Sequence, residues 1–179
     1  MGSAETNPPL AAERAHVVVM GVSGSGKTTV GEPLAERMGA DFGDADDFHP
    51  KANVEKMASG VPLTDEDRWL WLDSIGSWLA EHADSGAVAT CSALKRSYRD
   101  VLRRQAPDVV FLHLVGTPNV IGNRVDRRSP NFMPAALLDS QFDALEPPGD
   151  DERALSVDVS SSPDDIVTKF LRWLDDAIA

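Results

Sequence analysis

Eight consecutive residues, Gly21-Val22-Ser23-Gly24-Ser25-Gly26-Lys27-Thr28, satisfy the pattern G-x-x-x-x-G-K-S/T in full. The chemistry such a run serves is the holding of a polyphosphate. Its glycines let the backbone turn N–H groups inward, and the positive end of a following helix adds to the field. Lys27 is then placed to reach the β and γ phosphates, and Thr28 offers a hydroxyl to Mg²⁺, which keeps waters and phosphate oxygens as its other ligands. Gly21, Ser23, Gly24, Ser25, Gly26, Lys27, Thr28 and Thr29 are therefore the candidate nucleotide-binding residues, with Thr28 also the candidate metal ligand and Lys27 a catalytic candidate.

A phosphate loop does not say what receives the phosphate, because kinases, ATPases and GTPases share it. Length narrows the choice: 179 residues make one domain, and a five-strand nucleotide fold leaves little room for motor or switch machinery. The chain also lacks an N-K-x-D segment that would read guanine. A small-molecule kinase is the economical reading. A P-loop module that holds ATP without transferring its phosphate is the alternative from another class.

The net charge of −12 repels nucleic acid and anionic membranes, so an anionic ligand needs a local exception. Between Ala93 and Arg128 stand eight basic residues against three acidic ones. The single cysteine, Cys91, cannot form an internal disulfide, and His16, His82 and His113 show no metal-ligand spacing with it. Apolar runs are too short for a membrane helix and the N-terminus has no signal-peptide pattern, which makes a cytoplasmic protein the default.

The loop must be carried by a strand and a helix, and both are legible. Val17 to Met20 is a continuous apolar run, as in a parallel strand buried on both faces, and a helix is expected over Lys27 to Met38. Further strands are expected at Ala40–Gly43, Ala87–Cys91, Val109–Val115 and around Val157–Val159. Helices are expected from near Pro50, from Thr64 with Trp69, Leu72, Ile75 and Leu79 on one stripe, from about Lys95 to Arg104, after Pro118, and after Ser162. Alternation of this kind demands a parallel sheet covered on both sides, a three-layer α/β/α domain over residues 15–179 behind a loose tail at 1–14.

Beyond the loop, Asp44-Ala45-Asp46-Asp47-Phe48-His49-Pro50, then Asn53, Glu55 to Gly60, Pro62 to Arg68 and Trp71-Leu72, resemble the gluconate kinase family. Cys91 to Asp100 and Ser140 to Pro147 resemble it as well, so the likeness runs from about Val17 to Asp158 in four ordered blocks. The resemblance implies a shikimate-kinase-like and adenylate-kinase-like fold with about five strands. It also implies transfer of the ATP γ-phosphoryl to the 6-hydroxyl of D-gluconate, dependence on Mg²⁺, and a homodimer.

Phosphoryl transfer needs positioning and charge neutralisation more than covalent help, so one carboxylate near the acceptor hydroxyl suffices. Asp46 is chosen for it, with Asp44 and Asp47 as rivals or as outer partners of Mg²⁺. An ordinary loop whose Asp side chains bond local N–H groups is the plainer reading of that turn. Arg68, Lys95 and Arg99 match the family's substrate side, Lys95 and Arg99 being four apart as on one helix face, and His49 and Gln141 are expected to add hydroxyl contacts. Arg124 and Arg128 match arginines that stack on adenine or close a lid over the phosphates, a segment expected at about 124–134. There Pro130-Asn131 stands where the family has Gly-His, replacing a free hinge and an ionisable ring.

Overall fold

Because successive side chains of a strand point to opposite faces, the run Val17-Val18-Val19-Met20 feeds two cores at once. A computed structural model describes residues 14–128 and 135–179, without the side chains of 126–128 and 135–136. In it β1 (His16–Met20) lies at the centre of a five-stranded parallel sheet with β2 (Asp41–Gly43), β3 (Ala87–Thr90), β4 (Val110–Val115) and β5 (Ala154–Asp158), in the order β2-β3-β1-β4-β5. Val17 pairs with Val88 on one side and with Val110 on the other.

Val17 and Val19 face a core built with α1 (Lys27–Met38) and α7 (Pro163–Ile178), including Leu34, Phe170 and Leu174. Val18 and Met20 face the second core with α3 (Asp65–Glu81) and α4 (Arg96–Gln105), including Leu72, Ile75, Leu79 and Leu102. Full burial of each such side chain is worth about 1.5–3 kcal/mol, which is why the strand ends are held firmly enough to carry a site. Three further helices, α2 (Lys51–Ala58), α5 (Pro118–Arg128) and α6 (Ala135–Ala144), lie in the connections.

Termini follow local chemistry. Thr64 caps α3 in a reciprocal box with Asp67, whose carboxylate accepts the Thr64 N–H at 2.8 Å, and Ser162 caps α7 before Pro163. Two expectations change, and the expected acidic turn takes a defined form. The stripe of α3 is carried by Trp71, Leu72, Ile75 and Leu79, while Trp69 lies at the rim with its ring edge-on to Tyr98. The acidic turn is a 3-10 turn, Ala45–Phe48, capped by Asp44, and α6 occupies a stretch whose weak periodicity left it without an expected element. The tail and residues 129–134 of the expected lid lie outside the described residues.

Candidate active site

Sheet order places the phosphate loop, which leaves the C-terminal end of β1, beside the loop that leaves β3, with the loop that leaves β2 one strand further on. Ligands of open α/β sheets bind outside those strand ends. Gly24 has φ +79°, and a Cβ there would stand 2.4 Å from Val125 on α5, so only glycine lets the helix approach the loop. Gly26, at φ +97°, turns the chain into α1 with no side-chain cap, leaving the first N–H groups of the helix for a ligand.

Lys27 Nζ donates to the carbonyls of Gly21 and Val22, both at 3.1 Å. Burial lowers its pKa, an effect partly offset by the carboxylates of Asp46 and Asp44. Thr28 Oγ1 donates to Asp44 Oδ2 at 3.1 Å, and Asp44 Oδ1 accepts the Asp46 N–H at 3.0 Å. Donor loop and acidic turn are thus joined through Asp44. Hydroxyl and carboxylate oxygens at a helix N-terminus are the hard donors that Mg²⁺ takes alongside phosphate oxygens and water, so these residues fit that ion.

Trp71 and Thr90 hold the turn. The indole Nε1 of Trp71 donates to Ala45 O at 2.8 Å, and Thr90 Oγ1 accepts the Ala45 N–H at 3.2 Å. Asp46 and Asp47 remain exposed on that rigid base. The Trp71 ring also stacks on His49, centroids 4.4 Å apart and 8° from parallel. Burial lowers the His49 pKa, with Asp46 raising it and Arg68 lowering it, so the imidazole is neutral near pH 7.

Arg68 and Lys95 meet at one carboxylate. Asp65 accepts from Tyr98 Oη at 2.5 Å, from Lys95 Nζ at 3.3 Å and from Arg68 Nη1 at 3.5 Å. The tyrosine bond, then those from Lys95, hold the Asp65 carboxyl below its ordinary range, and the same partner raises Lys95. Asp65 and Tyr98 escaped the sequence reading, since they are 33 residues apart and Asp65 reads as a helix-dipole residue.

Arg99 corrects the expectation that placed it beside Lys95. Lys95 is the N-cap of α4 and reaches toward Asp65, whereas Arg99 points inward and is fully buried. Its guanidinium takes Glu152 through Nε at 2.7 Å and Nη2 at 3.0 Å, and donates to Ala93 O at 2.8 Å. It therefore shapes the loop that presents Lys95. Gln141 is also committed elsewhere: its amide pairs with Ser23 of the phosphate loop. Arg124 Nη2 donates to Val159 O at 2.6 Å, at the turn after β5. The side chain of Arg128 lies outside the described residues.

A family model described as Shikimate kinase matches residues 23–174. A gluconokinase from Gluconobacter oxydans is 49% identical over 158 residues, covering 87% of this chain and 89% of the relative. The chain belongs to the gluconokinase family. The thermosensitive gluconokinase of Escherichia coli is 47% identical over 138 residues, covering 76% of this chain and 74% of that one. A crystal structure of a gluconokinase from Sinorhizobium meliloti superposes with a TM-score of 0.84 at 45% identity, covering 93% of this chain and 94% of that one. The parallel α/β/α sheet expected from strand alternation, and the kinase fold implied by the family resemblance, are the fold of this solved gluconokinase. Shikimate kinase from Aquifex aeolicus shares it at 17% identity, with a TM-score of 0.54 and coverage of 90% and 97%.

Proposed function

We propose that this chain transfers the γ-phosphoryl group of ATP to the 6-hydroxyl of D-gluconate, yielding 6-phospho-D-gluconate and ADP. The observation that carries the reading is the join of the two halves of the site. Thr28 bonds one oxygen of Asp44 and the Asp46 N–H bonds the other, so a phosphate cradle adjoins a carboxylate suited to an acceptor hydroxyl. Membership of the gluconokinase family supports the choice of acceptor.

In this mechanism the N–H groups of Gly24 and of residues 26–29, with Lys27 Nζ, take the β and γ oxygens, the ammonium exchanging two loop carbonyls for phosphate. Asp46 orients the 6-hydroxyl and accepts its proton as the new O–P bond forms and the bond to the β,γ-bridging oxygen breaks, leaving ADP. Thr28, with Asp44 behind it, would hold Mg²⁺, which when bound neutralises charge on those oxygens. Arg68 and Lys95 take the sugar-acid carboxylate, neutral His49 takes a hydroxyl, and Arg124 and Arg128 serve the nucleotide side. ATP as co-substrate supports a cytoplasmic site of action. The exposed Val54, Met57, Val61 and Leu70 of α2, α3 and their connection support a homodimer.

Phosphorus and proton NMR of the product formed from Mg-ATP and D-gluconate tests the reaction. A phosphomonoester coupled to the protons of carbon 6 is expected. Inorganic phosphate alone, or an ester at another carbon, would overturn the proposal.

A further inference from the structure

Both ends of the Gln141 amide are engaged by the phosphate loop. Oε1 accepts the Ser23 N–H at 2.7 Å and Nε2 donates to Ser23 Oγ at 3.0 Å. Five residues further on, the same segment grips the acceptor loop: the Glu146 N–H donates to Leu94 O at 2.8 Å, and Glu146 Oε2 accepts the Arg96 N–H at 2.7 Å. Leu94 and Arg96 are the chain neighbours of Lys95. Between these anchors lies a small apolar cluster of Val22, Leu94, Ile121 and Leu138, with Phe142 and Leu145 packed on it. Val22 belongs to the phosphate loop and Leu94 to the acceptor loop, so one cluster touches both, and Leu145 joins it to the second main core.

We propose that Gln141 is a positioning residue that couples the two halves of the site, so that nucleotide and sugar acid each bind more tightly when the other is present. Phosphate oxygens arriving on the loop give its N–H groups new acceptors and settle Ser23. Gln141 passes that position to α6, and the end of α6 passes it through Glu146 to the backbone on either side of Lys95. The effect is reciprocal by linkage. It rests on Lys95 facing the acceptor, as in the proposed reaction.

Calorimetry on the full chain measures D-gluconate affinity without nucleotide and with Mg²⁺ and a non-hydrolysable ATP analogue. The wild-type chain is expected to bind D-gluconate about five-fold or more tightly with the analogue, within the usual range of coupling between sites. In Gln141→Leu, which keeps the volume and loses both bonds, that ratio falls to within about two-fold of unity. Gln141→Asn, one methylene too short to bridge, serves if the leucine variant does not fold. Hydrogen exchange of the amides of residues 94–96 and of Glu146 gives a readout independent of the acceptor. The analogue alone slows it in the wild type and not in Gln141→Leu. A wild type that never binds D-gluconate contradicts the proposed reaction, and the exchange data then decide the coupling by themselves. D-gluconate binding with no coupling in the wild type, or coupling and exchange protection that survive in both variants, overturns the role of Gln141.

Discussion

Glu152→Gln removes the charge that faces a fully buried guanidinium. The side chains of Arg99 and Glu152 are 0% and 1% exposed, and Glu152 also accepts from Arg103 Nη1 at 2.7 Å and from the Gly149 N–H at 3.2 Å. Breaking one side of such a pair leaves a buried charge uncompensated, a loss of about 3–5 kcal/mol. A second route gives a similar size. Burial alone would raise the Glu152 carboxyl, yet bonds from Arg99 and Arg103 hold it at about 2 instead of 4.5, worth about 3 kcal/mol at neutral pH. Since the folded value is depressed, this stability is complete above pH 4.5 and is lost as pH falls toward about 2. Urea unfolding near pH 7 should therefore show the midpoint of Glu152→Gln lowered with its slope unchanged, and the wild-type decline between those two pH values should flatten in the variant. Arg99 also anchors the carbonyl of Ala93, a non-glycine residue at φ +44°, so the KM for D-gluconate should rise more than the KM for ATP. A loss below about 1 kcal/mol, the size of an exposed pair, would refute the reasoning.

Asp46→Asn is expected to lower kcat by about 10²–10⁴-fold with ATP affinity retained, whereas Lys27→Ala should weaken ATP binding as well; steady-state kinetics with direct nucleotide titration separates them. Gly24→Ala drives a Cβ to 2.4 Å from Val125 at a positive φ, and should lower the melting temperature and ATP affinity together, read by calorimetry. His113 is almost fully buried, and burial, then Arg99, push its pKa down to about 4, so stability should fall as pH drops from 6.5 toward 4, by about 3 kcal/mol. Urea titrations of wild type and His113→Asn, whose profile should be flatter there, check this.

Much of the fold was legible because its signals are local. The glycine pattern, the Thr64 and Ser162 caps and the short apolar strands each act within a few residues, and each stands where expected, to within about two residues except β5, which begins three residues before Val157 and ends before Val159. What stayed hidden depends on partners distant in sequence. Spacing alone put Lys95 and Arg99 on one face, but the helix starts after Lys95, and Glu152, 53 residues from Arg99, turns that arginine inward. The family resemblance puts Gln141 on the acceptor side, and nothing near it in sequence points to Ser23, 118 residues away. Trp71 and Trp69 are alike in type; only the carbonyl of Ala45 and the ring of His49 decide which one supports the site.

The most direct measurement is ADP release by the purified chain with Mg-ATP, run in parallel without acceptor, with D-gluconate and with shikimate. Release that depends on D-gluconate, near background in the other two, is the predicted result. Release indifferent to acceptor, or driven by shikimate, would contradict the account.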